Sequence, residues 1–454
     1  MAGCAGQRFQ PAPIAADTAA SGFAARTLAD PGLGPFVEAA LGHQASPWPP
    51  ETWDLQTLSL AAWYFNPALD EARAHIAGAN AALMTAAARP NPTLSIAPGV
   101  PSPYLLTLDW SIPLETAGKR GYRIQAARSL GQAARFDLAN CAWKIRSGVR
   151  AGLLNYLLAD QTLELLRAEA QDRADQVRVL EQLSSAGEIA RVDADAARIE
   201  LSKSRLAMSS GAGALAEARA ALAAAVGIPV AGLQQVRFTW QGLRTPPSVE
   251  SLSLEHIQRD AVLNRLDVRS SLAQYAAAEA DLQLEIAKQY PDVNIGPGYV
   301  YEERRSYFTV GLSAVIPLFD RNQGPIAEAE ARRQQAAATF LQTQSRVIED
   351  SERARAVYSA ALQELAEAEY LVKLQDGQRR AVQDSVRVGE QDRLDLLGVR
   401  IQSSLAARAR LDALAHAQTA LGDLEDAVQR PLAAGEELSL PPESPALNKP
   451  PREP

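Results

Sequence analysis

The sequence has no run of roughly 18 consecutive apolar residues, the length a helix needs to cross the hydrocarbon core. Its mean hydropathy is −0.15. A transmembrane helix is thereby excluded, but a β-barrel is not, because alternating strands leave hydropathy nearly flat. Cysteine is scarce: only Cys4 and Cys141, far apart, with no CxxC, which excludes a disulfide framework and a thiolate metal site. Cys141 lies in a helical stretch and reads as a small buried or lumen-side residue. The four histidines, His43, His75, His256 and His416, are isolated. No P-loop, dinucleotide fingerprint or Ser/His/Asp arrangement occurs in a supporting strand–helix context, so no enzyme activity, cofactor or resident metal is expected. Lys and Arg number 45 against 53 Asp and Glu, for a net charge of −8. With no dominant basic face, nucleic acid is not an expected partner.

What fills the 454 residues is mostly helix-forming, with Ala the main apolar residue and aromatics only 6%. Ala, Leu, Glu, Gln and Arg together favour long helices with small residues at close contacts. Residues 1–50 are rich in Ala, Pro, Gly and Asp, and spell no defined element. One helical pattern runs from Glu51 to Ala88 and stops at Arg89-Pro90. Strands at about 93–97 and 104–112 follow, separated by Pro98-Gly99 and Pro101-Ser102-Pro103, and read as a hairpin that Pro113 ends. A helix of about 60 residues is then expected from Lys119 to Leu183. Ser184–Gly187 breaks it, and a returning helix stops at Gly227-Ile228-Pro229.

The most informative stretch is Tyr307–Arg333. Phe308, Val310, Leu312, Ala314 and Ile316 alternate with Tyr307, Thr309, Gly311, Ser313 and Val315, the period of a strand. Pro317 ends the ladder, Asp320–Pro325 turns, and a polar helix begins near Ile326. This junction is the second of two. Asn66 and Arg265 are 199 apart (265 − 66), and that offset pairs Pro98-Gly99 with Pro297-Gly298 without a gap. Ile112-Pro113-Leu114 matches Ile316-Pro317-Leu318 at 204, and the segment from Gly187 matches that from Gly389 at 202. The chain is a tandem duplication. Its expected parts are an N-terminal segment (1–50), a first repeat (51–228), a connector (229–254), a second repeat (255–430) and a tail (431–454).

Four strands cannot close a barrel, and an open edge in lipid leaves backbone groups unpaired at several kcal/mol each. If the strands enter a membrane, several copies must pool them. Apolar steps such as Leu394, Leu397, Ile401 and Leu405 argue for lateral helix packing.

The NPAL of Asn66–Leu69, the NPTLSI and YPDVNI strand openings, IPLFDRNQGPIAEAEA and the paired GE..R.D turns together resemble the TolC-type outer-membrane factor family. The junction version is similar to its CzcC-type heavy-metal efflux subgroup. The resemblance implies a mainly α fold with a membrane β-barrel: a homotrimer whose twelve strands cross the outer membrane and whose long helices form a periplasmic α-helical barrel. It implies a channel component of a tripartite efflux system, passively passing cargo from a periplasmic adaptor and an inner-membrane RND-type pump. Heavy-metal cations are the cargo of that subgroup; multidrug or type I protein secretion is the alternative. A soluble coiled-coil scaffold is the reading from another class.

Under the resemblance, Gly187, Glu188, Ile189 and Ala190 with Gly389, Glu390, Gln391 and Asp392 are expected to contact the adaptor at the helix tips. The plain alternative is that both glycines only supply positive φ at a turn. Asp392 and Asp395, paired with Arg191 or Arg393, are expected to form a periplasmic gate. Against this, acidic residues at a helix start are favoured by capping alone. Asp109, Asn294 and Ser313 fall on the wet strand face. Met-Ala-Gly-Cys resembles the end of a bacterial lipoprotein signal, making Cys4 the expected lipidation site.

Overall fold

Four long segments of unbroken helix-forming sequence and two pairs of alternating strands dictate the architecture. The structure, a computed structural model, describes residues 9–44, 47–99, 105–248, 259 and 261–432. Cys4, the first hairpin loop at 100–103, Tyr104, His256, the connector's end and the tail beyond 432 lie outside the described residues.

The N-terminal segment is a correction to the expectation from sequence. It forms α1 (Ala16–Ala24) and α2 (Leu33–Leu41), and Leu33, Phe36 and Val37 are buried in the main core. Their i, i+3, i+4 spacing is a short helical stripe, too brief to stand out among the surrounding Pro and Gly. The single helix expected from Glu51 is also two, α3 (Leu55–Phe65) and α4 (Pro67–Ala87). Pro67 fits a first helical turn, and the Asn66 side chain caps it by accepting from the Ala68 N–H at 3.0 Å.

In the first repeat α5 (Lys119–Ala186) runs 68 residues, about 100 Å at the rise of a helix. It returns as α6 (Arg191–Val226). The second repeat has α7 (Leu266–Ala287), α8 (Gln323–Val388) and α9 (Arg393–Val428). Both α6 and α9 have 36 residues. Helix α5 packs against α4, α6, α7 and α9, and so joins the repeats. Near its middle Val149, Leu153 and Leu157 meet Leu58, Trp63, Leu222 and Val226. The connector closes this body: Trp53 bridges Phe238, and Val230–Leu233 is a 3-10 turn. Among the described residues no helix is long and apolar enough to cross a membrane.

The strands are β1 (Thr93–Pro98), β2 (Leu106–Leu114), β3 (Val293–Glu302) and β4 (Arg305–Ala314), in one antiparallel sheet of order β1-β2-β3-β4. Pro113 does not end its ladder: it sits opposite Asn294, and Leu114 opposite Val293. On its other side β1 begins only opposite Ser111, so no partner there needs the missing N–H.

The register gathers the alternation of all four strands onto common faces. Leu94 faces Trp110, Ile96 faces Leu108, Ile112 faces Ile295, and Ile295 faces Leu312. Residues directly opposite share a face, so these side chains build one apolar surface. Thr93, Asp109, Asn294, Thr309 and Ser313 occupy the other. The apolar surface is bare in the single chain: Ile96 is 60% exposed and Phe308 86%.

Candidate functional site

Far along the helices from the sheet, the two repeats end in turns of the same design. Gly187 (φ 81) and Gly389 (φ 83) adopt the left-handed conformation that closes α5 and α8. The Glu188 N–H donates to Leu183 O and the Glu390 N–H to Ser385 O, both at 2.9 Å. This is the Schellman closure, and it satisfies carbonyls that a helix end leaves orphaned. Gly187, Glu188, Ala190, Gly389, Glu390, Gln391 and Asp392 are exposed, and Ile189 half-buried.

The returning helices start differently. Asp392 caps α9: its carboxylate accepts from the Asp395 N–H at 2.9 Å, and Asp395 accepts from the Asp392 N–H at 3.2 Å. At the matching place α6 has Ala190, without a side-chain cap. Within one chain the expected pairing of Asp392 or Asp395 with Arg191 or Arg393 does not form. Arg191 lies 4.0 Å from Asp195, and Arg393 3.8 Å from Asp175 of α5. The capping box turns both carboxylates back onto the backbone.

From that tip a ladder of ion pairs between α5 and α9 leads inward. Arg393 meets Asp175, Arg400 meets Asp172 at 3.8 Å, and Arg408 meets Glu169 at 3.4 Å. Burial pushes the Asp172 carboxyl above its usual range, against the pull of Arg400. The ladder ends in a group the sequence reading missed. Glu425 lies 3.2 Å from Arg146 and 3.4 Å from Arg150. Arg150 donates to Gln418 O at 2.8 Å and Oε1 at 2.9 Å, and Gln418 donates to Leu243 O of the connector at 2.8 Å. Arg146 is 1% exposed, Glu425 1% and Gln418 0%. Gly422 makes room, since a Cβ there would stand 2.5 Å from the Arg150 guanidinium. The available signal was Arg146 and Arg150 standing four apart among Ala142, Ile145, Val149 and Leu153.

Where sheet gives way to helix, the first junction is clamped by the second repeat. Lys119 Nζ donates to Asp292 at 2.7 Å and Tyr290 O at 2.6 Å, while Thr116 donates to Asp292 and Pro291 O. At the second junction Asn322 (φ 63) donates to Glu285 of α7, and Val315, Ile316, Leu318 and Phe319 are bare. Phe319 is 97% exposed. No group of three or more His, Cys, Asp or Glu fit to hold a metal occurs among the described residues.

The family model "Outer membrane efflux protein" matches residues 62–228 and again 258–428, one match per repeat. The cobalt-zinc-cadmium resistance protein CzcC of Cupriavidus metallidurans is 29% identical over 289 residues, covering 63% of this chain and 67% of that protein. The pyoverdine export outer membrane protein OpmQ of Pseudomonas aeruginosa is 22% identical, covering 54% of this chain and 53% of its own length. Among solved structures, the outer membrane protein VceC of Vibrio cholerae has a TM-score of 0.66 at 20% identity, covering 82% of this chain and 95% of that one. CusC has a TM-score of 0.65 at 18% identity, covering 85% and 95%. Both share the fold seen here.

Proposed function

This chain belongs to the outer membrane efflux protein family, and we propose that three copies of it form the outer-membrane duct of a tripartite export system. As a family member it is an outer-membrane efflux channel with its helical part in the periplasm. The observation that carries the trimer is the sheet: one apolar face, one polar face, and open edges at β1 and β4. Lipid tolerates no open edge, and three copies supply twelve strands, enough to close a water-filled barrel.

In this reading the turns at Gly187–Ala190 and Gly389–Asp392 meet a periplasmic adaptor, which joins the duct to an RND-type inner-membrane pump. The duct itself does no chemistry; the pump supplies the driving force. Three copies of Asp392 and Asp395 ring the periplasmic mouth and favour cations. Divalent heavy-metal cations are the proposed cargo, supported by the similarity to the cobalt-zinc-cadmium resistance protein. An organic metal chelator is the second reading, supported by the similarity to the pyoverdine export protein.

Two measurements test this. Purified protein in lipid bilayers should conduct as a heat-modifiable trimer, and replacing Asp392 and Asp395 with Ala should lower cation selectivity. Unchanged selectivity would remove the gate. Expressed with its adaptor and pump in a sensitised host, the chain should raise tolerance to cobalt, zinc or cadmium; unaltered tolerance to all three would remove the metal cargo.

A further inference from the structure

The sheet contains its own template for the contact between copies. Offsets of 199 for β1 onto β3 and 204 for β2 onto β4 come from the repeat. The structure checks them independently. Applied to the β1–β2 pairs Leu94–Trp110 and Ile96–Leu108, they yield Val293–Ala314 and Ile295–Leu312, which are the pairs seen between β3 and β4. The duplication therefore preserves register as well as sequence.

The same offsets apply to the remaining seam inside the chain, between β2 and β3. There Asp109 pairs with Gly298, Ile112 with Ile295, Pro113 with Asn294 and Leu114 with Val293. Its duplicate joins β4 to a strand equivalent to β3, and that strand is β1. Within one chain β1 and β4 lie at opposite edges of the sheet, so the duplicate seam needs a second copy. We propose that β4 of one copy pairs with β1 of the next in this inherited register: Ser313 with Gly99, Ile316 with Ile96, Pro317 with Ser95, and Leu318 with Leu94. This rests on the oligomeric reading above and specifies its seam residue by residue.

Three features of the single chain fit. First, β2 runs to Leu114, whereas β4 stops at Ala314, four short of the equivalent Leu318. Beyond Ser111 β2 still has β3 beside it, whereas beyond Ala314 β4 has no partner strand in the single chain. Val315, Ile316 and Leu318, 78%, 73% and 69% exposed, become strand when β1 of the next copy arrives. Second, Ile316 opposite Ile96 continues the apolar face across the seam. A slip of one residue sets Ile316 against Ser95 or Ala97 and turns one strand's apolar set to the polar side. Third, the proline lands harmlessly. Pro113 is already accommodated opposite Asn294, so Pro317 opposite Ser95 repeats a solved arrangement.

The inherited seam is weaker at its foot. The ion pair that closes the inner one, Lys119 with Asp292, falls on Gln323 and Thr93 in the duplicate. The half-buried Glu115, paired with Arg123, falls on the bare Phe319. The seam between copies is held by strand pairing and apolar cover, without a charged clamp.

Cysteine pairs across the seam test the register in the full chain in outer membranes. Directly opposite residues bring Cα atoms to about 4.5–5.5 Å, within disulfide reach. Ile316→Cys with Ile96→Cys, and Leu318→Cys with Leu94→Cys, should each give a covalent trimer on non-reducing gels. Ile112→Cys with Ile295→Cys is the control inside one chain and should leave monomers. Single replacements report the background from Cys4 and Cys141. The off-register pair Ile316→Cys with Leu94→Cys should stay monomeric. If native trimers form but only the off-register pair links, the inherited register is wrong and the trimer stands. If the unaltered protein is monomeric in the membrane, the trimer itself falls.

Discussion

Helices α5 and α8 follow one backbone plan in two settings. They have 68 and 66 residues, and each ends on a left-handed glycine. Yet α5 buries charged and bulky groups along most of its length, from Trp143, Arg146 and Arg150 to Leu166 and Glu169. Helix α8 buries few residues, mostly small, with Tyr358 the largest. Its Tyr358 hydroxyl donates to Pro247 O of the connector, and burial raises its pKa far above the ordinary value. The cause is position. Helix α5 has neighbours from both repeats, whereas α8 packs chiefly on α7 and α9 and leaves Leu341, Val357, Tyr370 and Leu374 bare. Duplication thus copies the path of the chain but not its burial.

The largest break in the symmetry is the charged lock. Glu425 stands where the first repeat has the buried Ala223, at the offset of 202 that also matches Val226 with Val428. Glu425→Ala leaves Arg146 and Arg150 buried without their carboxylate. Unfolding followed by circular dichroism should show a loss of about 3–5 kcal/mol. A loss under about 1 kcal/mol would mean that water reaches both guanidinium groups.

The turns are where the repeats agree, so they should respond alike. Gly187→Ala and Gly389→Ala each force alanine into the left-handed region, at roughly 1–2 kcal/mol. Amide exchange at Glu188 and Glu390 should accelerate equally. A clear inequality would show that one turn rests on something outside the chain's own closure.

The helix starts disagree, and the difference should be transferable. Asp392→Ala should cost about 1 kcal/mol of local stability at the start of α9. Ala190→Asp, with Asp193 already three residues on, should rebuild the capping box on α6 and slow exchange in its first turn. The smallest effect belongs to Arg393→Ala. Its guanidinium is 64% exposed and 3.8 Å from Asp175, so thermal stability should move by less than about 0.5 kcal/mol, and less again in high salt.

Much of this was legible because periodicity and punctuation are local. Alternation marked the strands, and Gly187, Gly227 and Gly389 ended helices where the sequence said they would. The offset at Asn66 and Arg265 fell on two N-caps, of α4 and α7. Two readings failed because they depend on neighbours. Leu33, Phe36 and Val37 form too short a stripe to declare a helix until α3 covers it. Pro113 was expected to stop a strand whose β1 side had already ended. Asp392 and Asp395 cap α9 by accepting from backbone N–H groups, the plain alternative to a gate that acidic residues at a helix start always offer.

By itself the sequence determined the order of strands and long helices and the turn glycines, since each depends on residues within a few positions of one another, and the duplication, since the same pattern recurs at a nearly constant offset. Tertiary structure alone decided three things. It gathered Leu94, Ile96, Leu108, Trp110, Ile112, Ile295 and Leu312 from four separate strands onto one face through register. It brought Glu425 to Arg146 across 279 residues of chain. It left β1 and β4 as edges, because four strands of this twist cannot meet around a barrel without further copies.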